Sequence, residues 1–421
     1  MQGPVVLAAT ALIHLFADAA GTIELSDRTE VRGRSSQGVV PNPSLDLLNT
    51  ATGGVTVTDR PWSFTVRYSA SLLEADAELA PAPTVLQFAT LGATWADRTT
   101  TLGIAEYGTY GLLDTAANGP LGTLQPTATQ PPVTTAPPQG VQLLAAPAII
   151  HFGASRTALT ATDRLGQRET FSALLEYAMQ GGLDPSSQAF LPFTQGPRFT
   201  ADLAEALSGR ESLDVRVTLQ HAETAPAPCS PLIPQDLIPQ LTLPCAPVTS
   251  IEQTAATWRY ELSRYTDVSA GAGIAAAQVR LQDVQPRFDD ALFPVGSASI
   301  AHAEPIGRAA TTFRLDLAVG PFFNYLSGTL DERAQATGSV LVPTHDVTYS
   351  GSLGATRSIM STFMVPLTSV QFALDAEYAA SPLLGLGGGV RYVWQDEQGV
   401  GSFSMAMIYA ALTLHPRQIT F

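Results

Sequence analysis

Six histidines, two cysteines and a few clustered acids are the residues of this chain whose chemistry could be put to use. His14, His151, His221, His302, His345 and His415 are scattered, and none pairs with another at metal-ligand spacing. A hydrolase or protease would need a Ser or Asp set beside a His, and no GxSxG frames any serine. Asp289-Asp290 in RFDDALF are adjacent acids, the kind that water ordinarily solvates in a loop. GLGGGV at 385–390 lacks the full GxGxxG spacing, and no helical pattern follows it. On a strand, Gly385, Gly387 and Gly389 share one parity and would leave a smooth patch, or room for something packed against them. These residues predict no catalytic site, no metal and no cofactor.

The charged residues are better ordered. In TTFRLDLAVG (311–320), Phe313, Leu315, Leu317 and Val319 fall on one parity, Arg314 and Asp316 on the other. In SFTVRYSASL (63–72) the polar parity carries Arg67, and in LDVRVTLQ (213–220) it carries Asp214 and Arg216. WRYEL (258–262) offers Arg259 and Glu261. VQFALDAEY (370–378) offers Asp375 and Glu377. Arg280 and Arg391 complete the set. Such residues create a polar wall of mixed sign, able to hold hydrogen-bonding solutes or to tie neighbouring strands by ion pairs.

Period-two alternation over eight or more residues is the signature of a β-strand. It recurs to the end of the chain, and no long helical pattern appears after residue 20. The connectors fall into two classes in turn. Short ones surround Arg60, Arg98, Arg164, Arg210, Arg264 and Arg308, then 344–346 and 380–383. Long ones, rich in Pro, Ala, Thr and Gly, include 112–140, 181–195 and 223–250. This alternation predicts an all-β, up-and-down antiparallel transmembrane β-barrel, with short periplasmic turns and long external loops. About 18 strands are expected; without the two least regular, near 22–34 and 51–58, the number is 16. A soluble sheet of that size would need a partner layer for every oily face, and no helices supply one. Closing in lipid leaves no edge. Trp62 and Trp95 lie beside short turns, where an interfacial belt places aromatics.

Bulk composition agrees. Only 14% of residues are charged, against about 25% in ordinary globular chains, and mean hydropathy is +0.13. No apolar run outside the N-terminus is long enough for a transmembrane helix. Net charge is −15 and every basic residue is Arg, so nucleic acid is not an expected partner. Residues 1–20 read as a signal peptide, with Val5–Phe16 apolar and Ala17-Asp18-Ala19 offering a cleavage site. Residues 21–421 then form one barrel domain. Cys229 and Cys245 sit in one Pro-rich loop, and an exported chain would join them by a disulfide, worth roughly 3 kcal/mol.

The last alternating stretch, SFSMAMIYAALTL, precedes a short tail ending in Phe421. A terminal Phe after a final amphipathic strand resembles the sorting signal of bacterial outer-membrane β-barrel proteins. The likeness covers about 22–421 and implies a large, single-chain, porin-like barrel in the outer membrane. Barrels of 16–18 strands enclose water unless plugged. The expected function is therefore a pore for polar solutes, with an exit conduit for exported polysaccharide as a special case. That case calls for periplasmic or inner-membrane export partners on separate chains. The rival expectation is a closed structural or adhesive barrel acting through its external loops.

Overall fold

In a computed structural model the described residues are 20–37, 44–74, 83–114, 149–226, 246–281, 288–306, 309–324, 329–361, 367–397, 401–414 and 419–420. The predicted signal segment up to residue 19, both cysteines and Phe421 lie outside them.

The chain is a succession of strands. The first half holds β1 (Ala20–Gln37), β2 (Ser44–Asp59), β3 (Trp62–Glu74), β4 (Thr84–Ala96), β5 (Thr100–Asp114), β6 (Ile149–Asp163), β7 (Glu169–Gly182), β8 (Thr194–Ala206) and β9 (Glu211–Thr224). The second half holds β10 (Pro247–Ser263), β11 (Thr266–Leu281), β12 (Phe288–Ile306), β13 (Ala309–Asn324), β14 (Thr329–Pro343), β15 (Val347–Ser361), β16 (Leu367–Ser381), β17 (Leu384–Glu397), β18 (Gly401–Leu414) and the two-residue β19 (Ile419–Thr420). Each of the eighteen long strands pairs antiparallel with its sequence neighbours. β18 returns to β1 in an unbroken register from Asp27↔Leu414 to Gln37↔Ser404, and β19 adds Thr22↔Thr420 and Ile23↔Ile419. The sheet is closed, and the two least regular strands, β1 and β2, are among its longest.

Short turns and long connections alternate as expected. Two residues join β2 to β3, β10 to β11 and β16 to β17. In the turn before β5, the Asp97 carboxylate accepts hydrogen bonds from the Thr99 and Thr100 N–H groups at 2.8 and 2.9 Å, which hold its pKa below the ordinary range. One departure is a short helix, α1 (Pro185–Phe190), in a segment whose sequence reads as plain loop. Asp184 caps it, Pro occupies its first turn, and its residues pack against β6 and β7.

Each strand has two unlike faces. One carries large exposed apolar side chains such as Leu91, Ile104, Leu159, Leu203, Leu317, Leu374 and Ile408. The other carries the paired charges, among them Arg28, Glu30, Arg67, Arg216, Asp202, Arg314 and Asp316. Trp62 stacks on Phe64 and pairs across the ladder with Trp95; Trp258 stacks on Tyr260. Both sets sit on the apolar face beside short turns, as an aromatic girdle does. Backbone closure satisfies the ladder without water, so the apolar face can meet lipid. The chain has the architecture of a transmembrane β-barrel.

The wall is not uniformly round. β10 and β14 come within 8 Å of each other (Cα–Cα) although three strands separate them in the sheet. Along a smooth wall four strand spacings would hold them about 19 Å apart. At the long-loop end Ala222, Ile251, Ala277, Val279, Phe293, Phe323 and Leu330 form a buried apolar cluster that ties β9–β14 together.

Candidate functional site

The candidate site is the polar face of the barrel wall, built by parity. Along β1 every second residue from Arg28 to Arg34 is charged. Arg28 Nε donates to Glu30 Oε1 at 2.6 Å and Arg32 Nε to Glu30 Oε2 at 2.7 Å. Arg34 lies 3.3 Å from Asp46 on β2. Across the closing seam, Tyr409 on β18 donates its hydroxyl to Asp375 on β16. Arg391 on β17 approaches the same carboxylate at 4.0 Å and lies 5.2 Å from the Tyr409 ring centre. Arg28 flanks that ring at 5.9 Å. Glu377 stands one pleat from Asp375, opposite Gly387.

The glycine run now has a physical reading. A Cβ on Gly389 would fall 2.5 Å from Asp375 Oδ1 and 2.7 Å from Tyr409 Cε1. The glycines provide room for these side chains to cross β17.

A second charged tract crosses β5–β10. Arg156 lies over the Tyr107 ring at 4.3 Å and 3.5 Å from Glu176, which Arg198 approaches at 3.9 Å. Arg216 pairs with Asp202, and Asp214 is the next residue on that face of β9. Arg259 pairs across the ladder with Ser212, and Glu261 follows on the same parity of β10. Arg67 on β3 donates to Glu24 on β1 at 3.1 Å, passing over Gly54 of β2. On β13, Arg314 donates twice to Asp316, at 2.7 and 2.8 Å. On β14, Arg333 donates to Asp331 at 2.6 Å, with both side chains 1% exposed. Ser358 donates to the same carboxylate at 2.8 Å, and Phe322 faces the guanidinium at 4.4 Å.

Ten of the eleven charges expected on this wall thus share the polar parity. Arg280 does not: it shares parity with Ile274, 66% exposed, against buried Ala275, Ala277 and Val279. The charged run Arg28, Glu30, Arg32 and Arg34 joins this wall on the same period-two spacing. Tyr409 joins it too, although its residue type reads as apolar. Cys229 and Cys245 lie outside the described residues. The described histidines have local partners: His221 meets Ser250 at 3.0 Å and His302 meets Thr266 at 2.9 Å. His151 lies 3.4 Å from Asp184, and His345 pairs with Asp346. Among the described residues no group of His, Cys, Asp or Glu is arranged to hold a metal.

No curated protein sequence matches the chain. Among solved structures, the FrpB iron transporter of Neisseria meningitidis aligns with 92% of this chain at 10% identity and a TM-score of 0.49; the chain spans 64% of that protein's length. OpdO of Pseudomonas aeruginosa aligns with 94% at 10% identity and a TM-score of 0.47, covering 98% of that chain. OpdK of the same organism, solved with vanillate, aligns with 95% at 10% identity and a TM-score of 0.46, covering 99% of that chain. In sequence, residues 16–236, from before β1 to beyond β9, match a known family. The chain belongs to the EpsX exopolysaccharide export family.

Proposed function

We propose that this barrel is a water-filled conduit for polar solutes, and that its cargo is a polysaccharide leaving the cell. The observation that carries the reading is the one-sided placement of the arginine–carboxylate pairs: each pair named above lies on the polar face. The Arg67–Glu24 pair supports assigning that face to the lumen. It spans a whole intervening strand, about 9.6 Å of wall, and side chains converge in this way on the concave side. Arg67, Asp214, Arg216, Arg259, Glu261, Arg314, Asp316, Asp375, Glu377 and Arg391 then line the passage.

Paired charges suit a glycan. They present many donors and acceptors, yet guanidinium and carboxylate cancel locally, so the wall exerts little net field on a hydroxyl-rich polymer. The family supports the same cargo. No catalytic role is assigned to the wall. Residues 1–20 would act as the export signal, and the short-turn end would receive periplasmic or inner-membrane export partners.

The test is a planar bilayer holding the refolded barrel. Steady ohmic steps, interrupted reversibly by the purified polymer, are expected. A properly inserted barrel that conducts nothing would sink the conduit reading. It would favour a closed barrel acting through its loops, to which the inward fold of β10–β14 would then contribute. Conductance without polymer interruption would leave a pore and remove the polysaccharide.

A further inference from the structure

The apolar face is uniform on some strands and broken on others. β9 presents Leu213, Val215, Val217 and Leu219, and β13 presents Phe313, Leu315, Leu317 and Val319, without a polar residue between. β5 presents Leu102, Ile104, Glu106, Gly108 and Tyr110. Leu102, Ile104 and Tyr110 are 46%, 50% and 59% exposed, so Glu106 sits in the middle of a lipid-facing row. Its cross-strand neighbours are Leu91 and Thr157, one residue pair from exposed Leu159. Ser155 donates to Glu106 Oε1 at 2.5 Å and Thr157 donates to Oε2.

A second break lies on β1 and β2. Asp27 shares a face with exposed Leu25 and Val31, and Asn49 with exposed Leu45 and Leu47. Asn49 Nδ2 donates to Asp27 Oδ1 at 2.8 Å and to Thr29 Oγ1 at 3.0 Å. Between the two breaks, Tyr68 donates to Gln87 at 2.9 Å, again on the apolar parity.

A polar group turned toward hydrocarbon costs free energy, even when its own neighbours partly satisfy it. Single outward charges also occur at Glu252 on β10 and Arg280 on β11, but on β1–β6 three such groups follow one another across six adjacent strands, and that run marks a stretch of wall that faces protein. We infer that the outer face of β1–β6 is the surface on which a second copy of this chain packs. Two observations select that occupant. The carboxylates of Glu106 and Asp27 already receive hydrogen bonds from their own wall, so they ask no cation of a partner. The face also mixes donors with acceptors, so it can complement itself. Its size is suitable: six strands at about 4.8 Å across a belt about 25 Å tall give roughly 700 Å² per copy, near the ~800 Å² of a standard interface.

The test uses the full chain in its own outer membrane, with Cys229→Ser and Cys245→Ser to remove native thiols. Thr157→Cys or Leu159→Cys, treated with a short bifunctional maleimide, is expected to give a band at twice the monomer mass. Val217→Cys on the β9 face is expected to give none. A spin label at 157 should be several-fold less accessible to dissolved oxygen than one at 217. Two cysteine sites, each checked for the heat-modifiable shift of a folded barrel, guard against a variant that fails to fold. Monomer alone, with position 157 as oxygen-accessible as 217, would overturn the inference. A crosslinked band of some other mass would overturn it too, by giving the face to a different protein.

Discussion

The Tyr409 hydroxyl reaches over β17 to Asp375 on β16, and it does so across the bare backbone of Gly389. Two strands that share no ladder are thereby joined through a third.

Filling that gap is expected to be costly. A methyl at Gly389 would also meet the Leu374 carbonyl at 2.6 Å, and backbone cannot swing aside. Gly389→Ala should lose about 1–3 kcal/mol, the usual cost of overpacking. Gly338→Ala on β14, where the nearest atoms to the added carbon are 3.9 Å away, should change little. Urea unfolding of the two variants in liposomes makes the comparison.

The buried Arg333–Asp331 pair is expected to be sensitive in a different way. Asp331→Asn leaves a guanidinium enclosed without its counter-charge, at a cost of about 3–5 kcal/mol. Replacing both residues with Leu and Met should recover most of that loss. The same unfolding measurement decides, and equal losses in the single and double variants would contradict the pairing account.

At Arg314 the readout is selectivity. Arg314→Ala frees the Asp316 carboxylate and should turn the passage toward cations; Asp316→Asn should turn it toward anions. A unit charge about 4 Å from a permeating ion is worth ~1 kcal/mol in water, so the permeability ratio should move by up to about fivefold. Reversal potentials in a salt gradient give the number, and unchanged values would place the pair away from the lumen.

Asp184 should titrate late. The Ser186 hydroxyl at 2.5 Å, then the Ser187 N–H at 2.8 Å, hold its pKa down at about 2. A depressed carboxylate stabilises the fold above its unfolded pKa of about 3.9. That contribution falls away as pH drops through about 2. The Asp184 carboxyl resonance should therefore still report an ionised group at pH 3 (an ordinary aspartate would by then be mostly protonated), and α1 should stay capped there.

Much of this was legible in the sequence because strand parity is a strict code. TTFRLDLAVG places Arg314 and Asp316 opposite Phe313 and Leu317, and the structure keeps them so. Connector lengths give up from down, since a two-residue turn can only join antiparallel neighbours. Other features are not legible in the sequence. The helix at 185–190 is too short to show a period, and its legible signals were an Asp cap and a following Pro. Arg280 alternates with Val279 as a polar-wall residue should, but at this end of β11 it is Val279 that turns inward, into the buried cluster with Ala277 and Phe293, so Arg280 faces out. Glu106 shows the converse: its parity is plain beside Leu102 and Ile104, but a carboxylate facing outward contradicts the pattern that defines the strands. Pairings over intervening strands, such as Arg67 with Glu24, depend on wall curvature, which alternation does not encode.

The closing register of β1 with β18 joins residues 27–37 to residues 404–414. Nearly the whole polypeptide must be made before its first strand can find its last neighbour. Contacts so distant along the chain form slowly, and until they form, both strands show an open edge. A barrel cut short before β18 would keep those edges permanently and could not rest in a bilayer. Quality control is thus written into the topology: only a chain read through to its final strand can be sealed.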